Sequence, residues 1–341
     1  MRINKAELQT ALEKVKPGLA GKELIEQSTS FSFINDRVVT YNDEISISHP
    51  VKGLDIKGAI KAQALYAFLN KVKREEIDIE HEKNQIIIKA GRSKAGLIFE
   101  KEILLPLDEE IGKVNIWQDM PEGMKDALKL CYPSCSKDMS NPVLTCIHVY
   151  KNIVEASDSY QIIQCKLKGK GVVEDFLIPA TAIRELIRYD ITQIADGDGW
   201  VHFKTEDDTI FSARTIEGKY PSTTSHLKME GTEFAFPKNI TRILEKANVF
   251  SRSDFSTSDI SLVTIEIKNK IVKISAKNEY GWFEEKGKVD YEGPSIKFVT
   301  GVEFLIDIFG KLKTCILGEG KIGFTGENWK HIIVTIGEDE K

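Results

Sequence analysis

The chain has 341 residues, enough for two or three domains that each bury a core, and its 41% hydrophobic and 29% charged content is that of an ordinary globular protein. A net charge of −5 speaks, taken whole, against a nucleic-acid partner, and five cysteines (Cys131, Cys135, Cys146, Cys165, Cys315) with no CxxC pair speak for a reducing compartment. No apolar run approaches the ~18 residues of a membrane span, and the charged start Met1–Lys16 is neither signal nor transit peptide, so a cytoplasmic protein without membrane contact is expected.

Six segments carry helical periodicity. The first is Ala6–Lys16, with Leu8, Ala11, Leu12 and Val15 on one face, and the second is Lys61–Lys73, with Leu65, Phe68, Leu69 and Val72. The third is opened by Pro121 and carries Met124, Leu128 and Cys131. A fourth follows Pro179, with Ile183, Leu186 and Ile187, and a fifth follows Pro237, with Ile240, Ile243, Leu244 and Ala247. The sixth begins near Thr300 and carries Phe304, Leu305, Ile308 and Leu312. Three of them are expected to hold a proline just inside their first turn, where its missing N–H costs nothing. The starts near 6, 61, 121, 179, 237 and 300 are spaced by 55, 60, 58, 58 and 63 residues. So regular a period means one supersecondary unit used repeatedly.

Alternating stretches rich in β-branched and aromatic residues lie between the helices: Ile77–Glu80, Gln85–Lys89, Leu97–Leu104, Thr145–Tyr150, Gln161–Leu167, Trp200–Lys204, Thr209–Ala213, Val263–Ile267, Ile271–Ala276 and His331–Ile336. Each repeat thus reads as strand, helix, then about three antiparallel strands. One helix cannot cover a core alone, so repeats should pair, giving an α+β chain of three similar domains, 1–113, 114–231 and 232–341, with boundaries near Lys113 and Gly231.

Charge is distributed unevenly over these repeats. The six helices with their flanks hold 19 basic and 8 acidic residues, a balance of +11, which leaves −16 on the remainder. The second helix has Lys61, Lys71, Lys73 and Arg74 and no acid. Glu forms helices as well as Lys does, so its absence there points to helices that face a polyanion without reading sequence. Motifs of enzymes are missing: Gly318–Lys321 (GEGK) is too short for a phosphate loop, and neither HExxH nor GxSxG occurs. Glu206-Asp207-Asp208 and Ser157-Asp158-Ser159 read as polar turns, and His49, His81, His148, His202 and His331 as structural; nothing asks for a metal or cofactor. On the residues alone, an enzyme whose site converges only in three dimensions and a scaffold that binds protein alone both stay open.

Five stretches carry a family resemblance. Ala90-Gly91-Arg92-Ser93-Lys94 is similar to Ser-Gly-Arg-Ser-Arg, Val154–Ile162 to VATDGHRLA, and Phe176–Leu186 to VIVPRKGVIEL. Glu217–Pro221 resembles the start of DGRFPDY, and Ala276-Lys277-Asn278 the opening of an acidic loop. In this order they resemble the bacterial-type DNA polymerase sliding clamp, the polymerase III beta subunit, over essentially the whole chain. The resemblance implies the DNA clamp fold, a head-to-tail homodimer ring around duplex DNA, and no catalysis. It implies as partners a DNA polymerase, a clamp loader and other clamp-binding peptides.

By the same resemblance, the dimer interface would use Arg92, Lys94 and Leu97 against Val249, Phe250, Glu284 and Glu285, with Ala95 standing where the family tends to a large apolar residue. A peptide pocket would be walled by Leu144, Ser157, Tyr160, Gln161, Ile162, Pro221, His226, Ile332 and Val334. Tyr160-Gln161, Ser225-His226 and the polar end Gly337–Lys341 depart from the family pattern and imply altered peptide specificity, as in a clamp encoded by a bacteriophage. Lys22 stands where the family has a basic pore residue. Lys61, Lys71, Lys73, Arg74, Arg184, Arg188, Lys238, Arg242 and Lys246 are added as DNA-facing candidates from helix position alone.

Overall fold

The computed structural model describes residues 1–107, 111, 114, 116–252, 261–312 and 314–334, with the backbone alone at 303, 304, 307, 310 and 311. The boundary at Lys113, the side chain of Phe304, the end of the strand at Ile336 and the tail Gly337–Lys341 lie outside the described residues.

One pattern of elements recurs six times. The first repeat is β1 (Arg2–Asn4), α1 (Lys5–Val15), β2 (Ser30–Ile34), β3 (Arg37–Tyr41) and β4 (Ile45–Pro50). The second is β5 (Gly58–Lys61), α2 (Ala62–Lys71), β6 (Glu76–Glu82), β7 (Gln85–Ala90) and β8 (Ser93–Ile98). The third is β9 (Gln118–Asp119), α3 (Met124–Cys131), β10 (Cys146–Tyr150), β11 (Ile153–Ser157) and β12 (Gln161–Lys166). The fourth is β13 (Phe176–Pro179), α4 (Ala180–Leu186), β14 (Ile191–Gly197), β15 (Trp200–Thr205) and β16 (Ile210–Arg214). The fifth is β17 (Thr232–Ala235), α5 (Ile240–Asn248), β18 (Leu262–Lys268), β19 (Ile271–Asn278) and β20 (Gly281–Lys288). The sixth is β21 (Ile296–Gly301), α6 (Val302–Lys311), β22 (Thr314–Gly318), β23 (Lys321–Thr325) and β24 (Trp329–Val334).

The helices form because their apolar residues share a face that the sheets cover. In α1 these are Leu8, Ala11, Leu12 and Val15, all buried, and in α5 Ile240, Ile243, Leu244 and Ala247. Asn4 caps α1, its Oδ1 accepting the N–H groups of Ala6 and Glu7 at 2.9 and 3.2 Å, which satisfies donors that no helical carbonyl can reach. Asn4→Ala is therefore expected to cost about 1 kcal/mol, measured as a lower urea midpoint. The prolines lie outside the helices rather than in their first turns. Pro121 and Pro237 stand three residues ahead of α3 and α5 and give their carbonyls to the N–H groups of Met124 and Ile240, and Pro179 ends β13. The strand expected at Leu97–Leu104 stops at Ile98. Phe99 turns into the core over Gly58, where a Cβ would collide with its ring and with the Glu100 carbonyl.

Repeats pair by exchanging their first strands. β1 bonds to β6 of the second repeat, while β5 bonds to β2 of the first. The same exchange joins β9 to β14 and β13 to β10, then β17 to β22 and β21 to β18. The chain divides into two compact units, 1–120 with 181–217, and 121–180 with 218–341. The first holds the sheets β1-β6-β7-β8 and β5-β2-β3-β4-β16-β15-β14-β9. The second holds β13-β10-β11-β12-β24-β23-β22-β17 and β20-β19-β18-β21. The division follows from two joints, β4·β16 and β12·β24, that carry each long sheet from one repeat pair into the next.

Both joints are fastened by side chains. Beside β4·β16, Arg37 Nη1 meets Asp208 at 2.7 Å and Lys14 pairs with Asp207, so the Glu206–Asp208 turn is held by cations rather than merely solvated. Across the joint His49 Nδ1 lies 2.8 Å from Thr209 Oγ1, and behind it, within the fourth repeat, His202 Nδ1 lies 2.8 Å from Ser212 Oγ of β16. At β12·β24, His331 Nε2 lies 3.0 Å from Gln161 Oε1.

Candidate functional site

Three groups of sequence-derived candidates acquire positions. The first gathers on the second unit around β12·β24. Register sets Ile162 opposite Ile332 and, on its other side, Ser157, while the Val334 N–H donates to the Tyr160 carbonyl at 2.8 Å. Half-buried Ile162 and buried Ile332 thus form an apolar floor, rimmed by Tyr160 and Val334, 74% and 49% exposed. Gln161 does not present its amide outward: Nε2 donates to Asp158 at 2.7 Å and Oε1 faces His331. Burial drives the His331 pKa down to about 3, so the ring is neutral, and the Gln161 orientation makes Nε2 its donor.

Pro221 and His226 are exposed on the segment 218–227. That segment is anchored to the same sheet by a group that pattern reading missed. Glu155, 2% exposed on β11, sits between His148 and Gln164 in register. Its carboxylate meets His148 Nδ1 at 2.9 Å and accepts from Gln164 Nε2 at 2.8 Å and from Thr223 Oγ1 at 2.6 Å. Tyr220 stacks on His148 with 4.8 Å between centroids, and burial pushes its phenol pKa upward. Leu144 is buried at the turn that leads into β10 and is not at the surface. The floor and rim are therefore brought together directly; Pro221 and His226 are tied to the sheet through neighbours, Tyr220 and Thr223 among them.

The second group is the cations. All ten (Lys22, Lys61, Lys71, Lys73, Arg74, Arg184, Arg188, Lys238, Arg242 and Lys246) are exposed. Four are engaged: Lys61 with Glu23 at 2.5 Å, Lys246 with Glu285 at 2.7 Å, and Arg184 and Arg188 with the shared Glu185 at 3.6 and 2.7 Å. Arg74 packs beside Gly91, where a Cβ would stand 3.0 Å from its Nε. Lys71 closes α2, where a cation is favoured by the helix dipole.

The third group lies on two sheet edges. Lys94 and Leu97 are on β8, Arg92 in the turn before it, and Glu284 and Glu285 on β20; β8 and β20 each end a four-stranded sheet. Val249 and Phe250 follow the end of α5, with Phe250 packed against Gly281. Large apolar side chains absent from the sequence-derived set crowd these edges: Ile98, Tyr280 and Trp282 are 72, 73 and 70% exposed. Among the described residues no group of three or more His, Cys, Asp or Glu could hold a metal, and no helix is long and apolar enough to cross a membrane.

No family model matches the chain. In sequence it is 24% identical over 253 residues to the beta sliding clamp of Pseudomonas aeruginosa, covering 70% of this chain and 67% of that protein. It is 25% identical over 258 residues to the beta sliding clamp of Pseudomonas putida, with the same coverage. In structure it matches the DNA polymerase sliding clamp of Pseudomonas aeruginosa solved with a ligand, at a TM-score of 0.77 and 16% identity over 99% of both chains. The sliding clamp of Bartonella birtlesii bound to griselimycin gives a TM-score of 0.80 at 14% identity, again over 99% of both. That of Bacillus subtilis gives 0.76 at 17% identity over 98% of both. The fold is that of these proteins over 98–99% of the chain.

Proposed function

We propose that this chain, a bacterial-type sliding clamp by fold and by sequence, is a processivity factor: two copies close head to tail around duplex DNA and tether a DNA polymerase and other DNA enzymes. The work is mechanical, not catalytic. In this reading the three domains are 1–113, 114–231 and 232–341, each an exchanged pair of repeats.

The observation that carries the ring is the fate of each repeat's last strand. Last strands meet in pairs, the first repeat with the fourth through β4·β16 and the third with the sixth through β12·β24. Among the described residues, only the second and fifth repeats' last strands end their sheets, at β8 and β20. A second copy, placed head to tail, supplies both missing neighbours at once, and a contact between unlike surfaces that closes gives a ring. The cations on the helices suit a polyanion threaded through it, holding by charge and topology rather than by base reading. The Ile162–Ile332 floor suits apolar anchors of peptides from a polymerase or a clamp loader.

Protein assembled on a nicked circular duplex should survive gel filtration at high salt and be lost once the circle is cut. Retention that ignores cutting would leave a nonspecific DNA binder, and no retention a protein-only scaffold. Reversing Lys71 and Lys73 to Glu, with Arg74 kept because it packs at Gly91, should weaken binding to short duplex at least about tenfold and flatten its salt dependence. Since both side chains are exposed, the unfolding midpoint should fall only slightly, by the ~0.3–1 kcal/mol that Lys71 contributes at the end of α2.

A further inference from the structure

The two joints within the chain obey one register. In β4·β16, the N–H of Asn42 bonds to Ile45 across one turn and that of Thr205 to Thr209 across the other, and Ile45 pairs with Ala213. In β12·β24, Asp158 bonds to Gln161 and Gly326 to Trp329, and Gln161 pairs with Ile333. In both, the first residue after one turn faces the residue four beyond the first residue after the other. The turns of β8 and β20 are closed by Ala90 with Ser93 and by Asn278 with Gly281.

We propose that β8 of one copy joins β20 of the next in this same register, with Ser93 opposite Glu285, Lys94 opposite Glu284, Ala95 opposite Phe283, Gly96 opposite Trp282 and Leu97 opposite Gly281. The inference rests on the head-to-tail ring proposed above and names how that ring selects its own kind.

Side-chain chemistry, which played no part in deriving the register, agrees with it. Lys94 meets a carboxylate, and Arg92 lies diagonal to the same Glu284, within reach of a long side chain. Size alternates across the joint: alanine meets phenylalanine, glycine meets tryptophan, leucine meets glycine. Trp282 would lie over Gly96, where a Cβ would crowd Gln85 Oε1 at 2.9 Å and Ile87 Cδ1 at 3.2 Å, an aromatic ring covering an edge glycine. Leu97 would enter the space beside Gly281 that Phe250 borders, and Ile98 would meet Tyr280. The exposed apolar groups of both edges are thereby covered. Ala95 becomes the partner of Phe283 rather than a defect.

Backbone polarity agrees as well. Ser93 and Gly281 close their own turns, so Lys94 and Gly96 on one edge, and Trp282 and Glu284 on the other, turn their N–H and C=O groups outward. These residues face each other in the proposed register. Sliding by two keeps that polarity but sets Lys94 against Lys286, or against Trp282 with its carboxylate lost. A second copy in this one register is what the edge fits.

Sedimentation should show the wild-type chain as a dimer, and Lys94→Glu should weaken it about tenfold or more, because two like-charged contacts form per ring. Lys94→Glu with Glu284→Lys should restore it. Oxidation of the Ser93→Cys, Glu285→Cys variant should trap a covalent dimer, since this pair would be of the close, non-hydrogen-bonded kind. Ser93→Cys with Phe283→Cys or with Gly287→Cys should trap little. A dimer that Lys94→Glu strengthens, or that is trapped through residue 283 or 287 instead, would overturn the register and leave the ring. A chain monomeric at every concentration would overturn both.

Discussion

Replacing Glu155 by alanine is expected to destabilise the second unit by about 3–5 kcal/mol and to release the segment 218–227. The carboxylate is buried in the middle of its sheet and receives His148, Gln164 and Thr223. Alanine removes the acceptor and leaves all three donors without it, so the loss combines a cavity with unpaired polar groups. Glutamine keeps the volume and one oxygen, and should cost only about 1–2 kcal/mol. Because Thr223 is the link to the segment that carries Pro221 and His226, hydrogen exchange there should accelerate beyond that of the rest of the unit. A urea midpoint and an exchange map together decide the point. Uniform acceleration across the unit would mean that Glu155 stabilises the sheet without positioning the segment.

Acid should loosen the protein well before its carboxylates are protonated. Burial lowers the pKa of His331 to about 3 and that of His202 to about 4; His49 also falls to about 4, through burial and then the nearby Lys14 and Arg37. In the unfolded chain each takes a proton near pH 6.5, so below that the unfolded state binds protons the native state refuses. Stability is thus full above pH 6.5 and falls as the pH drops toward 4. The loss at pH 4 is about 3 kcal/mol for each of His202 and His331, and less for half-buried His49. Urea midpoints measured from pH 7.5 to 4.5 should decline steeply, and His331→Phe should flatten part of that slope. Constant midpoints over the range would contradict rings held neutral at these three positions. His49 and His331 lie on the joint strands β4 and β24, and His202 stands on β15 beside the joint strand β16, so the links between repeat pairs should yield first.

Periodicity located all six helices within a few residues, because a one-sided apolar stripe is written in neighbouring positions. The exchange of first strands was not legible: nothing local in Arg2–Asn4 names β6 as its partner. Counting charge by segment found the basic helices but could not see that Glu23 and Glu285 fold back onto Lys61 and Lys246. Glu155 was hidden for a related reason. In Ile153–Ser157 a glutamate between apolar neighbours reads as the residue facing water, yet both faces of β11 are covered. The crowding of Ile98, Tyr280 and Trp282 on two edges likewise exists only once the hairpins are formed. Composition shows none of it.

The strand exchange also sets a timetable for synthesis. Arg2 waits for Asp78, 76 residues later, before its strand has a neighbour, a delay of roughly 4–15 s at ordinary rates of translation. The first repeat meanwhile lacks β5 as well, and so emerges from the ribosome with two of its sheet positions empty. No single repeat can therefore be the folding module of this chain. The smallest piece that holds both exchanged strands is a couple, so it is by couples, not by single repeats, that the chain can fold as it emerges.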